Sequence, residues 1–189
     1  MFLKGERIEL RALLESDEEA EIWTRNVNAG LTTQFTMTGS VPMRPIDIKA
    51  VWKKEREAGS VEFGIWALMV DCGNLEYFFV GTCGLYAHRD IYRSWEFRIL
   101  IFAKEYIGQG LGEEALRLVL GWGFDRLNAH RIWAGTHEEN LGMRKVFEKC
   151  GFTEEGRLRD ELFTGGKYAA AIRYGILEDE WRSSSRAKA

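Results

Sequence analysis

Residues 103–116 read AKEYIGQGLGEEAL, and how this stretch is read decides the fold of the whole chain. Three glycines in five residues, Gly108, Gly110 and Gly112, leave backbone N–H groups unshielded by side chains. Behind them Leu111, Ala115, Leu118, Val119 and Trp122 recur at the spacing of one helix face. In front of them Trp95 to Phe102 (WEFRILIF) has the apolar run of a strand. A strand, a glycine turn and a helix start, in that order, place free N–H groups at the positive end of a helix dipole, where a phosphate is favoured. No Lys-Ser/Thr follows the glycines and the GxGxxG spacing is not met, so neither a P-loop nor a dinucleotide turn fits. A tight turn with no ligand is the plain alternative for these residues taken alone.

Working outward, Arg7 to Leu13 alternates polar and apolar residues like a half-buried strand. Ser16 is placed to cap a helix running to about Val27, with acidic residues in its first turn. Residues 28–44 read as a long loop, and a second helix is predicted from about Ile46 to Ala58, ended by Gly59. From Phe63 a β-hairpin turns at Asp71-Cys72-Gly73-Asn74. Past the central helix, Arg131 to Thr136 is a short strand and Glu138 to Cys150 a helix stopped by Gly151. Two further strands are predicted over 152–161 and 167–177, and the basic tail after Trp181 is expected to fray. With no internal repeat, 189 residues make one α/β domain, over residues 1–182, with a disordered tail at 183–189.

Composition narrows the function. The chain holds 29 Asp+Glu against 26 Lys+Arg, so it offers no basic field to a nucleic acid, and a cationic partner suits it better. The odd, widely spaced Cys72, Cys83 and Cys150 form neither a disulfide framework nor a metal cluster and read as reduced thiols. No apolar run is long enough to span a membrane and MFLKGERIEL lacks the apolar core of a signal peptide, so the expected address is the cytoplasm.

AKEYIGQGLGEEAL resembles the acyl-CoA-binding motif of the GNAT N-acetyltransferases, Gln/Arg-x-x-Gly-x-Gly/Ala. The resemblance runs on through Phe124 to Ile132, Asn140, Glu148 to Phe152, Glu155 to Arg159, Gly166-Lys167-Tyr168 and Glu180-Trp181, in the order of the RimJ/RimL-like branch, which acetylates protein N-termini and, in relatives, small amines. It implies a single-domain GNAT fold, a mixed and mostly antiparallel sheet flanked by helices, with a splayed strand pair that binds acetyl-CoA as co-substrate. The pantetheine arm is then expected along the backbone of Ile99, Leu100, Ile101 and Phe102, as an added strand would lie. The pyrophosphate falls to the N–H groups of Ile107, Gly108, Gln109, Gly110, Leu111 and Gly112, and Asn140 reaches the pantetheine from the following helix. No metal, nucleic acid or membrane is implied. The acceptor is a primary amine, on a protein N-terminus or a small molecule, and the protein is a monomer or homodimer.

Acetyl transfer from a thioester needs a neutral amine, a stabilised oxyanion and a tolerable leaving thiolate. Glu96, on the strand before the loop, matches a glutamate of many branch members and is the expected general base, with ion pairing to Arg98 as its alternative role. Glu62 and His137 are the weaker candidates. The chain also departs from the family. Phe147 stands where many members have a tyrosine whose hydroxyl serves the thiolate, and phenylalanine cannot donate that proton. Met143 replaces a small residue, Ala170 an aspartate, and Ile107 the polar first residue of the loop motif. Trp23, Phe35, Trp66, Tyr86 and Trp95 come from the region where the family builds its acceptor site. A polyamine, aminoglycoside or amino sugar is the alternative acceptor, suggested by the acidic balance and by Gly156 to Ile176, and a non-catalytic CoA-binding or partner-binding relative is the other reading.

Overall fold

The computed structural model describes residues 2–30, 35, 41–71 and 74–186, with the backbone alone at 70, 71, 88–90 and 184–186. Cys72, most of the 28–44 loop and residues 187–189 lie outside the described residues. Eight strands form one sheet: β1 (Phe2–Lys4), β2 (Ile8–Ala12), β3 (Val61–Asp71), β4 (Asn74–Arg89), β5 (Ser94–Ile101), β6 (Arg131–His137), β7 (Thr153–Thr164) and β8 (Lys167–Leu177). Their order is β1-β2-β3-β4-β5-β6-β8-β7, and every neighbouring pair is antiparallel except β5 with β6. Five helices, α1 (Asp17–Asn28), α2 (Pro45–Glu57), α3 (Leu111–Arg126), α4 (Leu141–Lys149) and α5 (Glu178–Arg186), flank it.

Local chemistry explains most boundaries. Ser16 and Glu19 make a reciprocal capping box at the start of α1, as its sequence predicts. Helix α3 buries Leu111, Ala115, Leu116, Val119, Leu120 and Phe124. Leu118 and Trp122, expected on that face, lie on its flank, where Trp122 packs edge-on against Phe63 at 5.3 Å. A Cβ on Gly123 would sit 2.8 Å from Leu85 Cδ1, so glycine there lets α3 settle onto the sheet.

Three expectations need correction. Helix α4 begins at Leu141, since Asn140 caps it: Met143 N–H donates to Asn140 Oδ1 at 3.1 Å. The chain after Trp181 does not fray at once. Helix α5 runs to Arg186, anchored by Trp181 against Phe124 at 6.1 Å and by the ion pair of Arg182 with Asp125 at 3.2 Å. Strand β1 was not foreseen, three residues being too few to show a period. Cys83 is a buried free thiol, as expected, and Cys150 is also buried in the core.

Candidate active site

The parallel ladder between β5 and β6 holds only at Ser94–Arg131, Trp95–Ile132 and Glu96–Trp133. Beyond Glu96 the two strands part, while β5 stays paired to β4 as far as Ile101 and β6 stays paired to β8 as far as His137. Successive residues of a strand present their backbone groups to opposite sides. Leu100 O faces β4, close to where a Cβ of Gly81 would sit, so the backbone of Ile99 and Ile101 faces the gap. By the same alternation Glu138 N–H, bonded to Ala170 O at 3.0 Å, turns Gly135 and His137 toward it from the other side. The gap is thus an open sheet edge able to accept an extended chain.

Two of the four strand residues expected there do not face it. Leu100 faces β4, and Phe102 N–H is engaged by Val80 O at 3.1 Å. That carbonyl belongs to a bulge: the register passes from Ile65–Gly81 to Trp66–Phe79 and leaves Val80 as the extra residue of β4.

The glycine loop follows. Gly108 and Gly110 have φ of 79° and 83°, left-handed values that other residues adopt at a cost, and Gly110 caps α3 without a side chain. The first bond into the helix runs from Glu114 N–H to Gly110 O at 3.1 Å. The N–H groups of Gly108, Gln109, Gly110, Leu111, Gly112 and Glu113 find no acceptor among the described residues, which is the cradle an anion needs. Ile107 is excluded from it, because a 3-10 turn engages its N–H with Lys104 O at 3.2 Å. A Cβ on Gly112 would lie 3.8 Å from Ile101 Cδ1 and 3.9 Å from Ile99 Cδ1, so the cradle adjoins the open end of the strand gap.

A cavity of about 1070 Å³ opens onto the same gap. Its walls are Glu96 to Leu100 of β5, Gly135 to His137 of β6, Asn140, Met143 and Phe147 at α4, and Trp23, Ile48 and Trp52 from the first two helices. Of the aromatics expected to line an acceptor site, Trp23, Phe35 and Tyr86 do so; Trp66, stacked on Phe79 at 5.4 Å, and Trp95 are absent from this wall. Trp52 and Phe97 line it without having been foreseen. Phe147 is 2% exposed, packed between Phe152 and Tyr174 at ring distances of 5.2 and 5.1 Å.

The cavity is acidic. Five carboxylates, Asp47, Glu55, Glu62, Glu96 and Glu161, face it with two guanidiniums, Arg98 and Arg173. Four of the five already have a cation. Asp47 is held by Arg44 at 2.8 Å, a hydrogen-bonded pair that keeps its pKa down at about 2. Glu161 pairs with Arg173 at 3.4 Å, and Arg98 joins Glu96 at 2.7 Å and Glu55 at 3.7 Å while stacking over Tyr86. Glu62 has no ion pair among the described residues; the Tyr86 hydroxyl donates to its Oε1. Burial pushes the Glu62 carboxyl up to about 7, outweighing the Tyr86 hydrogen bond, which favours the charged form. Glu62 is therefore poised between its charged and neutral forms near neutral pH. Arg98 occupies the carboxylate of Glu96, whereas that of Glu62 is left without an ion pair among the described residues.

His137 is the last residue of β6. It is 3% exposed, its Nδ1 accepts from Glu139 N–H at 3.1 Å, and its Nε2 meets Thr164 Oγ1 at 3.3 Å. An imidazole whose lone pair already serves a backbone N–H is not available as a base. The position of Ala170 is filled by backbone bonding, its N–H donating to Glu138 Oε1 at 2.8 Å.

A splayed parallel pair followed by a glycine-capped helix is the feature that decides the family, and the model of the acetyltransferase (GNAT) domain matches residues 7–153. The chain belongs to the GNAT acetyltransferase family. It is 35% identical over 106 residues to the spermidine N(1)-acetyltransferase of Vibrio cholerae serotype O1, an alignment covering 56% of this chain and 61% of that protein. The corresponding alignment with the Escherichia coli K12 spermidine N(1)-acetyltransferase covers 48% of each chain at 35% identity, so this chain matches only half to three-fifths of the length of these curated relatives. In structure it is similar to the Vibrio cholerae spermidine N-acetyltransferase solved in complex with CoA and spermine, with a TM-score of 0.77 and 26% identity over 93% of this chain and 98% of that one. RimL, a ribosomal L7/L12 alpha-N-protein acetyltransferase, shares the fold at a TM-score of 0.79 but only 14% identity, covering 95% of this chain and 99% of that one. That likeness is one of fold and does not place this GNAT chain in the RimJ/RimL-like branch. Among the described residues no helix is long and apolar enough to cross a membrane.

Proposed function

We propose that this GNAT chain transfers the acetyl group of acetyl-CoA to a primary amine of a polyamine-like acceptor by direct attack in a ternary complex. The observation that carries the reading is the acidic cavity joined to the strand gap, with Glu62 as its one carboxylate without a contact ion pair among the described residues. The likeness to spermidine acetyltransferases supports the same acceptor class over the protein N-terminus that the RimJ/RimL resemblance implies.

The residues divide the work as follows. The cradle from Gly108 to Glu113 binds the pyrophosphate, and the gap-facing backbone of Ile99 and Ile101 hydrogen-bonds the pantetheine. Asn140, whose Oδ1 is engaged in capping, has its Nδ2 amide to offer from the far wall. Phe97 N–H shares the parity of Ile99 but lies within the last rung of the β5–β6 ladder, facing Trp133, so the first gap-facing donor beyond the ladder is Ile99 N–H, which can stabilise the oxyanion. A polyamine ammonium enters the acidic cavity, where Glu62 takes one of its protons; the neutral nitrogen then attacks the thioester carbon, and the second proton it sheds as the adduct collapses passes to water. The carbon–nitrogen bond forms, the carbon–sulfur bond breaks, and the electron pair leaves on sulfur. An alkylammonium with a pKa near ~10.4 gives its proton to a carboxyl of about 7 only uphill, and desolvation against Trp23 and Trp52 lowers that difference. Phe147 cannot protonate the thiolate, whose pKa of roughly 8.5 lets it depart as the anion and take its proton from water.

Free CoA thiol released with spermidine, with an N-terminal peptide and with an aminoglycoside tests the acceptor. Spermidine is expected to give the highest kcat/KM, by about tenfold or more, as one half-buried carboxylate without an ion pair discriminates in favour of a cation. A faster peptide would return the protein to N-terminal acetylation, and CoA binding without turnover on any amine would make it a non-catalytic relative.

A further inference from the structure

The loop between β1 and β2 reaches across to the glycine cradle through one side chain, Arg7, which no part of the acetyl-transfer reading uses. Its Nη1 donates to Gln109 O at 2.6 Å and its Nε to Glu114 Oε2 at 3.1 Å. Its own N–H donates to Glu114 Oε1 at 2.9 Å, and its carbonyl accepts from Leu68 N–H at 2.8 Å, so the backbone that carries it is fixed to β3. Gly5 leaves Glu114 the room it needs, since a Cβ there would overlap Glu114 Oε1. A half-exposed ion pair of this kind adds little to stability. Its consequence is directional.

The carbonyl of Gln109 and the N–H of Gly110 belong to one planar trans peptide and point to opposite sides of it. Holding the carbonyl against Arg7 therefore aims the Gly110 N–H away from Arg7 and into the cradle. Gly110 also has to be small on that side, because a Cβ would sit 3.2 Å from Arg7 Nη2. We propose that Arg7 is a positioning residue for the co-substrate: it fixes the Gln109–Gly110 peptide plane so that the cradle is preset for a diphosphate. The inference rests on the reading that this loop receives the pyrophosphate of acetyl-CoA. It assigns to the first strand pair, remote from the reacting atoms, a part in affinity for the nucleotide end of the donor.

The test is the ratio of kcat/KM for acetyl-CoA to kcat/KM for S-acetylpantetheine, which has the same thioester and no pyrophosphate, with one fixed amine acceptor. The wild-type protein is expected to favour acetyl-CoA strongly. Arg7→Met should lower the ratio about tenfold, through KM for acetyl-CoA rather than kcat, the loss expected when one aligned donor to a charged group is lost. Arg7→Lys, which can hold Glu114 or Gln109 O but not both in a fixed fork, should fall between. A wild-type ratio near one would remove the pyrophosphate reading of the loop itself. A large wild-type ratio that Arg7→Met leaves unchanged, including the case in which both donors lose activity together, would overturn the role of Arg7 and leave the loop reading standing.

Discussion

The two halves of the site are built from different materials. On the donor side, β5, the glycine loop and the start of α3 offer backbone N–H and C=O groups, and the side chains there serve mainly to stay out of the way. On the acceptor side, α1, α2, β3 and β4 offer side chains, and their chemistry depends on which guanidinium sits beside which carboxylate. A backbone site tolerates many side-chain exchanges and fails when a Cβ blocks it. A side-chain site fails when one proton acceptor changes, with the fold untouched. Substitutions can set the two halves apart.

The largest loss is expected from Gly110→Glu. A left-handed φ of 83° and Arg7 Nη2 lying 3.2 Å from the new Cβ oppose it, and the carboxylate, on the Arg7 side, would draw that guanidinium off Gln109 O and turn the cradle peptide out of place. Affinity for CoA, by calorimetry, should fall about 100-fold or more, while thermal melting shows the domain still folded. Next is Glu62→Gln, which keeps the Tyr86 hydrogen bond and loses the base. It should lower kcat about 100-fold with CoA affinity unchanged, the ordinary contribution of a general base. Glu96→Gln, by contrast, should cost about fivefold or less, because Arg98 already holds that carboxylate. If Glu96→Gln proved the more damaging of the two, the base would lie on β5 after all.

Stability gives an independent check on Glu62. A carboxyl whose pKa rises on folding binds its proton more tightly in the native state, so its ionisation lowers stability as pH climbs from 4.5 to about 7. Glu62→Gln removes that term. Relative to wild type it should be more stable at about pH 8 by roughly 3 kcal/mol and show little difference at about pH 4, read from denaturant midpoints. Smallest is Phe147→Tyr: a few-fold gain in kcat at most, since the thiolate can leave unaided, with about 1 kcal/mol lost from the packed pair with Phe152 and Tyr174.

The same contrast explains what could be read from residues alone. A glycine cradle at a helix start needs only glycines and an amphipathic run, so the loop and the strand before it were legible. Which of its N–H groups stay open was not, because Ile107 is engaged by a 3-10 turn and Phe102 by a bulge on β4 that no local pattern announces. On the acceptor side, Glu62 sits in the strand VEFGIWALMV like any polar residue of an alternating strand. Only the approach of Tyr86 and the burial beneath α2 make it different, and both come from residues distant in sequence. The burial of His137 was hidden for the same reason: its neighbours in space, Phe35 and Thr164, are far along the chain. The polar run of α5 looked like a tail because its anchors, Phe124 and Asp125, belong to α3.

The most direct test of the account is the pH dependence of kcat/KM for spermidine, at saturating acetyl-CoA, for the wild-type protein and for Glu62→Gln. The wild-type profile should rise through an apparent pKa of about 7, that of the half-buried Glu62 carboxyl, and this limb should vanish in the variant, leaving only the titration of the amine. The same limb in both proteins, at equal rates, would contradict Glu62 as the base.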